Sequence, residues 1–213
     1  MHFALFCRAL AGISPQTATL EQFQSAAGIA SRTVARSVVD FLANSGIGRI
    51  SKEELIFSSS DRLKAALLSL RLTGCDPDNV ARQLSWRDFE YLAAEILRSC
   101  GYHTRTNVRL VKPRMEVDIV GINSGLALMV DCKHWKRNNI SSISNYARKQ
   151  AARTSRLVGL DRAIEEAVPV ILTLQAESVR FVEGIPVVPI IQFRSFVLEV
   201  QSYLAQVCVI RKT

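Results

Sequence analysis

The chain has 213 residues, 48% of them hydrophobic and 22% charged, a balance that supports a packed core and excludes wholesale disorder. Its 27 Lys and Arg outnumber 19 Asp and Glu, giving a net charge of +8 and pointing to an acidic partner, most often nucleic acid. Five cysteines at 7, 75, 100, 132 and 208 form no CxxC pair and read as free thiols of a reducing compartment. No apolar run reaches the roughly 18–20 residues of a membrane span, and "MHFALFCRALAG" reads as an amphipathic helix and not a signal peptide. A cytoplasmic protein is expected.

The first third predicts helices over 2–11, 19–27 and 31–44, a hairpin near 47–58 and a helix over 60–73. Ser31 can cap the third helix. Val34, Val38, Phe41 and Leu42 give that helix an apolar stripe at helical spacing. Arg32, Thr33, Arg36 and Ser37 fall on its other, N-terminal face. "IGRISKEELIF" alternates like two short strands. Gly74 and Pro77 in "TGCDPDN" punctuate the chain and suggest a domain boundary at 76/77.

The remainder opens with "LSWRDFEYLAAEILRSCGY". Ser85 and Asp88 approximate a capping box, and Trp86, Phe89, Leu92, Ala93, Ile96 and Leu97 form a helix face. Strands are expected at 102–110, 115–122 and 126–133. A polar helix over 141–158 follows, then strands in "VPVILTL" and "IPVVPII" and a closing helix over 192–207. The order is that of an α/β domain.

The chemistry gathers at two strand ends. Side chains alternate along a strand, so in "MEVDIVGI" Glu116 and Asp118 share a face, and in "LALMVDCKHW" Asp131 and Lys133 share one. If these strands are neighbours, Asp118 meets Asp131 and Lys133. Two carboxylates brought together repel unless a cation sits between them, and hard oxygen ligands suit Mg²⁺ or Mn²⁺. Such an ion polarises a phosphate oxygen and acidifies a bound water, while Lys133 orients the attacking water and stabilises charge growing on the phosphate. The Cys132 side chain points to the other face, leaving its backbone carbonyl as a further metal contact. The plainer reading of Asp131 and Lys133 is an ion pair at a sheet rim. Glu116 reads as a bystander, and His134 beside Trp135 as structural.

"EVDIV" followed by "ALMVDCKHW" is similar to the core of the PD-(D/E)xK nuclease superfamily. "WRDFEYLAAEILRSCGYHT" resembles the first helix and strand of its Mrr-type restriction endonucleases, and more distantly the archaeal Holliday-junction resolvases. The resemblance covers about residues 84–160. It implies that Asp118 is the first acidic metal ligand, that Asp131 and Lys133 are the acid and lysine of the motif, and that Glu90 is the acid of the first helix. Asp88 and Glu95 compete with Glu90 for that role. Gln150 lies where related nucleases carry a helical glutamine, although Thr154 stands in place of the tyrosine of the Q-x-x-x-Y pattern. Val117 replaces the proline of the family's name. Residues 31–44 resemble the recognition helix of a winged helix-turn-helix domain, which presents Arg, Ser or Thr to DNA from a rigid apolar back.

The expected architecture is therefore a mostly helical winged-helix domain over 1–76 and, over 77–213, an α/β domain with a restriction-endonuclease-like mixed sheet flanked by helices. The expected function is Mg²⁺-dependent DNA endonuclease activity, with Asp118, Asp131, Lys133, Glu90 and Gln150 catalytic. Asp118, Asp131, Glu90 and Cys132 are the expected metal contacts. DNA is expected at Arg32, Thr33 and Arg36, and at Lys136, Arg137 and Arg148 just beyond the site. A homodimer suits the cutting of two strands. A non-enzymatic DNA-binding regulator, and a resolvase or RNA-processing nuclease, are the alternatives.

Overall fold

The structure, a computed structural model, describes residues 4–14, 17–52, 54–58, 60–71, 77–112, 114–133, 140–173 and 179–212. The chain divides into two compact units, Met1–Ser85 and Trp86–Thr213.

The first unit runs α1 (Ala4–Gly12), β1 (Thr17–Thr19), α2 (Leu20–Ala27), α3 (Arg32–Asn44), β2 (Arg49–Ser51), β3 (Glu54–Ile56), α4 (Asp61–Arg71) and α5 (Pro77–Arg82). Thr19 caps α2 in a capping box with Gln22, and Ser31 caps α3 through the Val34 amide. Gly28 ends α2 at φ +62°, in the left-handed region that a side chain would strain. The three strands form an antiparallel sheet in the order β1-β3-β2. The apolar stripe of α3 is Ala35, Val38, Val39 and Leu42, shifted from the expected set because Val34 and Phe41 stay partly exposed. Strand β1 and helix α5 were not expected. Three residues are too few to show a period, and Pro77 opens α5 where it reads equally well as a breaker. Helix α5 packs on α4 and α1, within the compact unit that ends at Ser85.

The second unit runs α6 (Trp86–Ser99), β4 (His103–Leu110), β5 (Met115–Asn123), β6 (Leu126–Lys133), α7 (Ile140–Leu160), β7 (Glu166–Thr173), β8 (Arg180–Val182), β9 (Ile185–Pro189), α8 (Ile190–Tyr203) and β10 (Ile210–Arg211). Among the described residues its mixed sheet has seven strands in the order β4-β5-β6-β7-β9-β8, with β10 on the starting end of β7. The β4-β5-β6 meander is antiparallel, whereas β6-β7 and β7-β9 are parallel. The parallel pair β6-β7 is joined through α7, as a parallel crossover requires.

Helices cover both faces. A Cβ on Gly121 would meet Leu97 of α6 at 3.1 Å and Tyr102 at 3.4 Å, so α6 lies against that side of β5. Val120 points the other way and packs with Leu157 and Val158 of α7. Coverage on both sides explains why β6 is buried from Leu126 to Cys132 and reads as one apolar run. The last strand and helix are corrected in one respect. The strand of "IPVVPII" stops at Pro189, and α8 starts at Ile190, earlier than expected. Among the described residues no helix is long and apolar enough to cross a membrane.

The α6–β5 contact has no spare room. Gly121→Val is expected to destabilise the second unit by about 1–3 kcal/mol through overpacking. Urea unfolding measures the change, and Leu97→Ala in the same chain is expected to recover part of it.

Candidate active site

The β5–β6 ladder runs from Asn123↔Leu126 to Ile119↔Val130 and then stops. Asp118 and Asp131 occupy the next position. Asp118 also falls in a gap of the β4–β5 register, opposite Asn107, which sits at φ +53°. The register is the same on both sides, Thr106↔Ile119 and Val108↔Val117, so the pairing is interrupted there without an inserted residue. Val117 and Val120 belong to one packed cluster, which strict alternation would forbid. The strand is therefore turned at Asp118. Asp118 reaches β6 through this break and not through plain alternation: its Oδ2 accepts the Cys132 N–H at 2.8 Å.

Asp131 is the centre of the site. It is 2% exposed, and two cations hold it: Lys133 Nζ at 2.8 Å from Oδ2 and Arg153 Nη1 at 3.0 Å from Oδ1. A buried carboxylate without such partners would be strongly unfavourable. Arg153 Nη1 also lies 3.3 Å from Gln150 Oε1, and Gln150 Nε2 donates to the Met129 carbonyl at 2.8 Å. Gln150 is fully buried, and the hydroxyl of buried Thr154 bonds back to its carbonyl. The buried stripe of α7 thus runs Ile143, Ala147, Gln150, Thr154, Leu157 and Val158, with its two polar members at the height of Asp131. Lys133 is walled by two rings, with Nζ 5.8 Å from the Trp86 centroid and 5.2 Å from that of Tyr146. Both lie in range for cation–π attraction.

The acids crowd one another. Burial, then the charge of Asp131, push the Asp118 carboxyl up to about 6, against the opposing pull of the Cys132 amide and Lys133. Burial also raises Glu90, opposed by a hydrogen bond from the Trp86 side chain and reinforced by Glu116. The Cys132 thiol is wholly buried and is raised well above its usual range, first by burial and then by Asp118, so it stays protonated. Trp86, Arg87, Glu90, Asn107, Arg109, Glu116 and Asp118 line an open cleft of about 580 Å³.

The structure brings Glu90, Asp118, Asp131 and Lys133 together. Of the acids on α6, Glu90 is buried beside Asp118, while Glu95 pairs with Arg98. Gln150 serves as a brace for Met129 and Arg153. Cys132 contributes its amide to Asp118. Arg148 stands apart, 69% exposed and paired with Glu183 at 3.4 Å. Arg32, Thr33 and Arg36 lie exposed on α3 in the other unit, with Arg36 3.2 Å from Asp40. Lys136, Arg137, His134 and Trp135 fall outside the described residues. Trp86, expected on the apolar face of the helix, is 43% exposed and walls the lysine. Arg153, Tyr146 and Asn107 were missed. Arg153 had a signal, since it sits three residues after Gln150 on a stripe that turns polar. Asn107 had none, because an asparagine in a strand pattern does not announce a left-handed backbone.

The residues fit a divalent cation in kind. Asp131 Oδ2 is buried and, despite the nearby ammonium, accepts no aligned hydrogen bond. Asp118 has one oxygen beyond the one used by Cys132. Among the described residues no three acidic, His or Cys side chains converge as a closed cage. Mg²⁺ does not require one, since it commonly takes one or two carboxylates and fills its shell with water and phosphate.

A restriction endonuclease family model, Mrr_cat, matches residues 81–145. An uncharacterized protein of Archaeoglobus fulgidus is 30% identical over 130 residues, 58% of this chain and 97% of its own length. Two solved structures are similar over parts of their length. One is the protein of unknown function AF1548, at 19% identity and TM-score 0.31 over 39% of this chain and 44% of its own. The other is VC1899 of Vibrio cholerae, at 11% identity and TM-score 0.44 over 96% of this chain and 51% of its own. The chain thus spans about half the length of these two structures. A mixed sheet flanked by helices, with an acid and a lysine at the end of its most buried strand, stands where the family match falls: residues 81–145 form a restriction endonuclease domain of the Mrr_cat kind.

Proposed function

We propose that the protein is a metal-dependent DNA endonuclease whose second unit cuts and whose first unit holds the duplex. One observation carries the reading: Asp131 and Lys133, paired at 2.8 Å at the end of β6, stand beside Asp118 on the next strand. An ordinary rim ion pair does not need a second buried acid pressed against it.

Asp118 and Asp131 would hold the cation, with Glu90 behind them. A divalent ion there supplies Lewis-acid polarisation of the scissile phosphate. Lys133 carries three donors and no lone pair when protonated, so it faces the phosphate and the attacking water and does not bind the ion. Trp86 and Tyr146 limit its swing, which keeps the donor aimed before substrate arrives. Gln150 and Arg153 fix Asp131 from behind. Cutting both strands of a duplex requires two such sites, which a homodimer supplies.

For the first unit, the order helix-strand-helix-helix-strand-strand and the exposed Arg32, Thr33 and Arg36 support a winged helix-turn-helix with α3 as recognition helix.

Lys133→Ala and Asp131→Asn are each expected to lower cleavage of plasmid DNA by about 10²–10³-fold or more, the range for removing one preorganised charge-stabilising group. Duplex affinity in EDTA is expected to persist. Wild-type cleavage rates in both variants would remove the site assignment.

Asp118 gives a pH prediction whose sign follows from its raised pKa. Between the ordinary value of 3.8 and about 6, the folded chain keeps a proton that the unfolded chain has released. Metal-free protein therefore loses stability as pH rises through that window. Asp118→Asn removes this slope, so the variant is expected to equal wild type near the acid end and to exceed it at about pH 8. Urea unfolding in EDTA measures both. Cleavage by wild type is expected to fall as pH drops below about 6, because a protonated Asp118 releases its hold on a cation.

Arg32→Ala with Arg36→Ala is expected to weaken duplex binding and to flatten its salt dependence by about 0.9 in log–log slope for each phosphate no longer neutralised. Anisotropy titrations across a salt series read both. An unchanged slope moves the duplex surface off α3.

A further inference from the structure

A second cavity, of about 610 Å³, adjoins the cleft of the active site and shares Arg109 and Glu116 with it. It lies between the β4–β5 hairpin and α7. Four cations line it: Arg109 and Arg114 from the hairpin, Lys149 and Arg153 from the helix. Its remaining lining is mostly apolar and includes Leu110, Val111, Met115 and Ala152. Val111 is 82% exposed, the largest value among the described large apolar side chains. Arg156 donates to the Lys112 carbonyl at 3.2 Å, which ties the hairpin to α7 and holds the cavity open.

The combination selects a ligand. A paired duplex offers phosphates outward and keeps its bases stacked inside. It would use a flat strip of cations and leave a concave apolar floor unfilled. A free anion would use the cations and leave the floor wet. An unpaired nucleotide offers both a phosphate and an apolar ring. The volume lies within the range of small-ligand sites, about 300–1,000 Å³. Arg153 belongs to this lining and also holds Asp131, so whatever occupies the cavity touches the positioning of the catalytic acid.

We infer that this cavity binds one unpaired nucleotide of the substrate strand, its phosphate on Arg109, Arg114 and Lys149 and its base on Val111 and Met115. The enzyme is thereby directed to DNA that carries a single-stranded segment beside the cut. The inference rests on the nuclease reading for its substrate, but its binding step is separable from cleavage.

The test uses the full chain in EDTA with two fluorescent probes: a blunt duplex, and the same duplex with a short unpaired thymidine flap. Wild type is expected to prefer the flap by about 10-fold, the effect of burying roughly 55 Å² of apolar surface at about 25 cal/mol per Å². Arg114→Ala with Lys149→Ala is expected to reduce the preference to about twofold or less, with a smaller change on the blunt probe. Val111→Asp, at a position too exposed to disturb folding, is expected to remove the preference while leaving every cation in place. Equal wild-type affinity for both probes overturns the inference. So does a flap preference that survives both variants, or a weakening of equal proportion on both probes. Mg²⁺ or Mn²⁺ added to the same samples separates the two readings. A flap preference without cleavage refutes the nuclease alone, whereas cleavage without preference refutes the nucleotide cavity alone.

Discussion

The site depends on one buried carboxylate. Asp131 lies at 2% exposure between Lys133 and Arg153, and each cation is fixed by something else. Removing one partner of a buried pair typically costs about 3–5 kcal/mol, because the other charge is stranded. That penalty explains the neighbouring sequence. Gln150 is buried to orient Arg153 and to bond the Met129 carbonyl, and Trp86 and Tyr146 wall in Lys133. The α7 stripe surrenders two core positions to polar residues so that this charge can exist at the end of β6.

The arrangement is nonetheless unbalanced. Two cations flank Asp131, but burial and neighbouring acids raise Asp118 and Glu90 beside it, Asp131 acting on the first and Glu116 on the second. A structural cluster would have relaxed this by substituting one acid. Under the proposed function, a cation and a phosphate would supply the missing charges. Strain at Asn107 fits the same account. A left-handed residue in a strand costs of order 1–3 kcal/mol and is sustained where the surroundings demand it. Here the demand is that Asp118 turn out of the ladder and toward Cys132.

The legibility of the chain follows from this division. β6 was readable because a strand covered on both faces has to be apolar throughout, and the charges at its end then stand out. The helices α3 and α6 were readable because apolar spacing states them locally, aided at α3 by the Ser31 cap. The proximity of Asp118, Asp131 and Lys133 was readable from spacing, but the route by which Asp118 arrives was not. Alternation predicts a shared face, whereas the structure interrupts the β4–β5 pairing opposite Asp118, at an Asn107 whose backbone angle the sequence does not reveal. Arg153 and Tyr146 were hidden for a different reason. Their roles depend on which turn of α7 passes Asp131, a matter of packing between elements that local pattern does not encode.

Arg153 is the residue that joins these parts. An arginine that only neutralised Asp131 could be replaced by a second lysine, or the pair by apolar groups, at little cost. Arginine is instead planar and forked, and can address two acceptors at once. In this chain it addresses Asp131 and Gln150, is about one-quarter exposed, and lines the basic cavity. Its remaining donors are therefore in position to meet a phosphate while its inner face keeps the acid in register. On the proposed nuclease reading, substrate engagement and placement of the Asp131 carboxylate would be one event.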